Sequence, residues 1–267
     1  MCVHHMGRAA RHTDAMSHHP AARDEIVGAL ERTLLRGSAR TSLQLESELP
    51  DDDASSPRPA RAERDALGRA KAAAGHAVSQ AILWGLRRAH EWTSSKMARP
   101  VVGVIDFAEH RCVQLPSGQS EAELIVGDER WLGAPGTAIN RLTAKPATVW
   151  QPLWLVDLVR GVVDAREHPA QDAGGNGPRR FSATSDLNRA AEAVPYGMAI
   201  PPNLDRLDDL RNIPIDVWVD DDGFIRRLRH DNARPTTLMT STLDLTELGI
   251  AVPEDWSRIP VFAGTDS

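Results

Sequence analysis

Lysine is nearly missing: Lys71, Lys96 and Lys145 are the only three in 267 residues. Positive charge is therefore almost all arginine, which reads as a composition effect of the genome. The net charge of -6 and a pI near 5.9 leave no general basic excess, and a surface that holds phosphate needs one. Nucleic acid is excluded as the main partner on that ground. Cysteine is limited to Cys2 and Cys112, and Cys2 sits in a polar terminal stretch, so no disulfide framework is implied. No apolar run approaches the roughly 18 residues that span a bilayer. The opening MCVHHMGRAARHTDAMSHHP has no apolar signal core, and Cys2 lacks the apolar stretch that precedes a lipid-attachment cysteine. As written, the chain is expected in the cytoplasm; the cell envelope is the alternative if the true start lies elsewhere.

Catalytic and cofactor motifs are missing too. There is no H-E-x-x-H zinc helix, no phosphate-cradling G-x-x-x-x-G-K-[ST] and no G-x-S-x-G elbow. Gly174, Gly175 and Gly177 neither follow a strand nor open a helix in dinucleotide-binding fashion. Asp220, Asp221, Asp222 and Gly223 fail as a calcium loop: in that register the first ligand would be Trp218 and the last Arg229. They read as a polar hairpin turn. Histidines 4, 5, 12, 18 and 19 crowd the first 20 residues, but no downstream spacing completes a metal site, and the stretch reads as a solvated, disordered tail. No cofactor is expected and no catalytic set stands out.

What is present is an ordinary globular composition, 41% hydrophobic and 25% charged, in a chain long enough to bury a core without disulfides or metals. Residues 21–36 show helical spacing at Ile26, Val27, Leu30, Leu34 and Leu35, with Gly37 as the stop. In SARTSLQLESEL, Ala39, Thr41, Leu43 and Leu45 alternate with polar residues, the mark of a half-buried strand. After the Pro- and Asp-rich PDDDASSPRPA, a long helical stretch runs from Arg61 to Trp92, with a small-residue stripe that Leu83 and Trp84 widen.

From Pro100 the pattern turns to β. VVGVIDF is a nearly continuous apolar run, HRCVQL follows, and EAELIVGDERWLG reads as two strands joined at Gly127-Asp128. Residues 152–163 are strongly apolar behind Pro152 and read as a buried helix. RRFSATSDL is a strand and LNRAAEAV a short helix. IPIDVWVDDDGFIRRLRH is a hairpin, with Ile213, Ile215, Val217 and Val219 on one face of its first strand. On the second, Phe224, Arg226 and Leu228 alternate with Ile225, Arg227 and Arg229. His230, near a strand end, is expected at the surface. TTLMTSTLDLTELG gives a last strand. The order lacks regular βαβ alternation, so an antiparallel sheet with helices packed on one face fits.

The blocks LLRGSAR, GVIDF, VGDERWL, WQPLWLVDLVRG, TSDL and IPIDVWVDDDGFIRRLR, in that order over about residues 21–262, resemble the LolA-like and LppX/LprG-like family of lipoprotein carriers and lipid-binding actinobacterial lipoproteins. The resemblance implies an α+β fold: a curved antiparallel β half-barrel closed by helices over an apolar cavity. It implies one domain at 21–262 after a tail at 1–20. It also implies a function of shuttling lipoproteins, glycolipids or other acylated molecules. This sequence departs from the pattern in having no signal peptide or lipid-attachment cysteine, and in a long helical insertion at about 58–96.

The cavity walls implied are Ile82, Leu83 and Trp84 from the insertion and Leu153, Trp154 and Leu158 from the Pro152 helix. Two readings stay open. One is a non-enzymatic carrier or sensor of a lipid or acyl chain. The other is a cytoplasmic protein-interaction or regulatory module whose cavity is filled by the insertion. Arg226, Arg227 and Arg229 could hold an anionic head group or be a solvated outer face.

Overall fold

The structure is a computed structural model, described here for residues 20–48, 100–116, 120–140, 144–146, 151–169, 177–199, 210–234 and 237–260. The expected tail, the insertion at 58–96, and with it Ile82, Leu83 and Trp84, lie outside these residues.

One antiparallel sheet organises the described chain. Its strands are β1 (Ser38–Glu48), β2 (Val101–Asp106), β3 (Arg111–Pro116), β4 (Ala122–Val126), β5 (Glu129–Gly133), β6 (Lys145–Pro146), β7 (Val162–Glu167), β8 (Arg179–Ser185), β9 (Ile213–Val219), β10 (Ile225–Arg234) and β11 (Thr237–Leu248). They lie in the order β6-β5-β4-β3-β2-β1-β11-β10-β9-β8-β7. The one long-range step is β1 to β11, which ties the two halves together over ten registered pairs. Helices α1 (Pro20–Leu34), α2 (Pro152–Leu158) and α3 (Leu187–Glu192) complete the α+β architecture.

The sheet curves around its helices. Helix α2 meets both β3 and β10, which are four places apart in the sheet and so about 19 Å apart on a flat surface. A helix only about 10–12 Å across touches both only if the sheet bends towards it. Register shifts at Arg40/Thr41, Ile225/Arg227 and Val162/Asp164 supply bends along the strands. The result is an open half-barrel whose concave face carries the main core. Leu43, Ile105, Phe181, Val217, Leu228 and Leu243 belong to that core, with α1 and α2 laid over them.

Helix α1 is anchored by polar bonds as well as by Ile26, Ala29 and Leu30, which are buried. The Thr33 hydroxyl donates to Ala29 O at 2.8 Å and accepts from the Ile225 N–H at 3.0 Å, so it bridges the helix and the start of β10. Arg32 Nε donates to Gly223 O, and Arg23 Nε to Val162 O. Gly37 ends the helix as expected, at φ 78°, with its N–H on Leu34 O. Leu35, expected on the buried stripe, lies past the helix end and is 85% exposed.

The near-continuous apolar run of β2 has a physical cause. Ile105, Cys112 and Ile125 face the concave core, whereas Val104, Val113, Leu124 and Trp131 face the opposite way into a second cluster. Ile250, Val252, Trp256 and Ile259 of the C-terminal stretch cover that outer cluster. Both faces of this half are therefore buried, so the alternation that marks a one-sided strand is erased.

Three expectations are corrected. The Pro152 helix does not reach 163: it ends at Leu158, passes through a 3-10 turn at Val159–Gly161, and continues as β7. Gly161 makes the turn possible, because a Cβ there would stand 2.3 Å from Asp186 O. Val162 and Val163 suit a strand, and an apolar run alone cannot separate the two states. The strict alternation expected in β10 is broken by the bulge at Ile225/Arg227, so Ile225 and Leu228 are both buried. His230 follows Leu228 inward and is 3% exposed rather than on the surface.

The aspartate turn behaves as a hairpin turn. Asp220 Oδ1 accepts from the Phe224 N–H, and the Gly223 N–H bonds to Asp220 O. The three arginines of β10 stand on the outer face, each with a carboxylate: Arg226 on Asp220, Arg227 on Asp244 and Arg229 on Asp231. Their charge is engaged within the sheet.

Candidate functional site

A cavity of about 230 Å³ opens beside α2. Its apolar lining is Ile125, Leu153, Trp154, Met198 and Ala199, and its polar lining is His110, Asp128, Gln151, Asp157 and Tyr196. Four pieces of chain meet there: the β2–β3 turn, the β4–β5 turn, α2 and the stretch after α3.

Helix α2 is the hub. Pro152 opens it behind an extended Gln151, and every residue from Pro152 to Leu158 is buried. A seven-residue helix of this kind is held by its surroundings and not by its own propensity. Gln151 Nε2 donates to Glu123 Oε1, which also accepts from Arg130 NH1. Trp154 Nε1 donates to Ala199 O at 2.9 Å, fixing the stretch after α3 against the helix. The other edge of that stretch is Tyr196. Its ring lies on Gly127, where an added Cβ would come within 3.0 Å of the ring.

Asp157 is the buried charge of the site, 3% exposed. One oxygen accepts from His110 Nε2 at 2.7 Å and the other from Arg160 Nε at 2.9 Å. His110 sits in the left-handed region at φ 50°, a position that histidine adopts more readily than most residues. Its carbonyl accepts from the Gly127 N–H, which joins the two turns. Because a carboxylate can only accept, Nε2 carries a proton and Nδ1 faces inward with no partner. The arrangement is a closed polar knot that pins β2–β3 to α2.

Of the walls expected from the sequence, Leu153 and Trp154 line the cavity. Leu158 is fully buried in the main core and does not border it. The structure also brings His110, Ile125, Asp157, Tyr196 and Met198 to the site, none of which sequence reasoning singled out. They come from separate segments; of the blocks quoted above, WQPLWLVDLVRG contains Asp157 and VGDERWL directly follows Ile125. Among the described residues no cluster of His, Cys, Asp and Glu could hold a metal ion. No helix among them is long and apolar enough to cross a membrane.

No family model matches the sequence, and no curated protein matches it. Solved structures do. The lipoprotein LppX of Mycobacterium tuberculosis is 12% identical, with 88% of this chain and 99% of that one covered, at a TM-score of 0.42. LprF from Mycobacterium bovis is 12% identical, covering 93% and 100%, at 0.42. A LolA superfamily protein from Nitrosomonas europaea is 9% identical, covering 87% and 95%, at 0.30. These belong to the group that the order of sequence blocks resembled. The half-barrel assignment itself rests on the strand order and pairing above.

Proposed function

We propose that this chain binds an apolar or acylated ligand without transforming it. The observation that carries the reading is the cavity beside α2. Leu153 and Trp154 belong to a helix whose residues are all buried, yet both border open space together with Ile125, Met198 and Ala199. Several of the polar groups around the opening are engaged within the protein: His110 Nε2 and Arg160 on Asp157, and the Trp154 indole on Ala199 O. Among the described residues no serine, threonine, cysteine or lysine lines it.

Size limits what this space does alone. At 230 Å³ it falls below the roughly 300–1,000 Å³ of sites that enclose drug-sized ligands. Six methylenes buried at about 0.8 kcal/mol each give about 5 kcal/mol, a dissociation constant of the order of 0.2 mM. The cavity therefore suits one segment of an acyl chain.

The test is titration of delipidated protein with cis-parinaric acid, followed by fluorescence. Saturable binding is expected, weakened at least threefold by Leu153→Ala and altered by Trp154→Ala. Absence of saturable binding in correctly folded protein overturns the reading.

A further inference from the structure

The concave face is not uniformly apolar. His230 on β10 and Ser241 on β11 stand opposite each other in register, on the face that carries Leu228 and Leu243. They are 3% and 1% exposed. His230 Nδ1 donates to Pro214 O at 2.9 Å, but neither its Nε2 nor the Ser241 hydroxyl has a hydrogen-bond partner. Two buried polar atoms without partners, on residues paired across neighbouring strands, are unusual, because each loses its water and gains nothing in return. The His230 ring packs against Trp154 with centroids 5.6 Å apart, and Trp154 is a wall of the cavity. The His230 ring therefore lies one side chain behind the site, with Ser241 beside it in register.

Their chemistry defines what would complete them. With the proton on Nδ1, the neutral ring offers Nε2 as an acceptor. Burial pulls the imidazole pKa down, against the upward pull of the Pro214 hydrogen bond, which keeps the ring neutral. The serine hydroxyl both donates and accepts. A single group that donates to Nε2 and accepts from Ser241 satisfies both. A hydroxyl does this with one oxygen; an undissociated carboxyl does it with two. A carboxylate or a fully ionised phosphate brings no proton for Nε2.

We propose that His230 and Ser241 form an inner polar subsite that takes a hydroxyl or an undissociated carboxyl of the bound ligand, with Trp154 as the wall that turns aside to admit it. The proposal rests on the ligand-binding reading and adds a selectivity to it: a chain ending in a donor is preferred over one of equal length ending in an ether or an alkyl group.

The experiment is displacement of cis-parinaric acid from the full chain by 1-dodecanol, dodecyl methyl ether and dodecanoic acid. Wild type is expected to take dodecanol about tenfold more tightly than the ether, about 1.4 kcal/mol. In His230→Phe and in Ser241→Ala that ratio falls below about twofold, through weaker binding of the alcohol while the ether changes little. Ser241→Ala removes one atom and serves if His230→Phe folds poorly, which thermal melting checks. Dodecanoic acid, compared with the alcohol as the pH is lowered, identifies which donor group the subsite takes. Saturable binding with no preference for the alcohol, or a preference that survives both substitutions, overturns the subsite and leaves water on the two atoms. Failure of the probe itself to bind is the separate failure of the ligand-binding reading.

Discussion

Removing the Asp157 carboxylate tests whether the site is held together as described. Its side chain is 4% exposed, while those of His110 and Arg160 keep 16% and 26%. Asp157→Ala strips the acceptor from both donors at once. Breaking a buried ion pair from one side typically costs about 3–5 kcal/mol, because a charge is left uncompensated. Arg160 can turn to water from its partly exposed position, so the expected loss is at the low end, about 3 kcal/mol. Asp157→Asn keeps the shape. One amide oxygen still accepts from Arg160, and the amide N–H can donate to a His110 whose proton has moved to Nδ1. That variant loses only the charge-assisted part and is expected to cost about 1–2 kcal/mol. The assay is urea unfolding at pH 7, read as a shift in midpoint at unchanged slope. Arg160→Ala in the Asp157→Ala background should cost less than it does alone, since its partner is already gone. The reasoning fails if Asp157→Ala lies within 0.5 kcal/mol of wild type, a threshold typical of inert surface changes, or if the Asn and Ala variants are indistinguishable.

Two further expectations follow from the fold. Gly103→Ala places a Cβ 2.4 Å from Val113 O on the neighbouring strand, whereas Gly37→Ala meets nothing within 4 Å but sits at φ +78°; the first should cost about 3 kcal/mol by forcing β2 and β3 apart, the second about 1–2 kcal/mol from backbone conformation alone. Urea midpoints in the reverse order would contradict the placement of β2. His230 has its pKa lowered by burial, so the unfolded chain takes up the proton first as pH falls. Stability is therefore full above the unfolded value of about 6.5 and declines below it, by at most about 1.4 kcal/mol per pH unit, until the folded value is passed. His230→Phe should flatten that segment of the unfolding profile. The decline due to Asp231 comes lower, below about 3.9, since hydrogen bonds from Arg229 and Thr240 outweigh the upward push of its burial.

How much of this was legible in the sequence depends on whether the signal was local. Hairpins were legible where alternation and turn residues agreed, as at Gly127-Asp128 and in β9, where Ile213, Ile215, Val217 and Val219 are all buried. The end of α2 was not, because Val159, Val162 and Val163 carry the apolar run past Arg160 and Gly161, and one charge and one glycine do not by themselves end a helix. The turn depends on the close approach of Gly161 to Asp186 O, a contact across 25 positions. The bulge at Ile225/Arg227 was equally hidden, and it mattered more. Counting by twos from Ile225 put Leu228 on the wrong side; one extra residue brings both inward.

The same distinction separates the apolar and polar halves of the site. Leu153 and Trp154, which border the cavity, could be named from sequence because an apolar helix advertises itself in any window. His110 and Asp157 lie 47 positions apart, in a turn and in a hydrophobic run, and neither carries a local mark. Their pairing follows from curvature, which carries α2 over to β3 and so brings it beside the β2–β3 turn. His230 shows the same dependence from the other direction. At the end of RRLRH it reads as one more solvated residue, yet the bulge sets Leu228 inward, and two residues later the period of the strand sets His230 inward as well. A half-barrel thus converts single-residue register events into site chemistry. Without the extra residue of the bulge, Arg229 would replace His230 at the wall behind Trp154, putting a cation where a neutral acceptor stands and turning Leu228 to solvent.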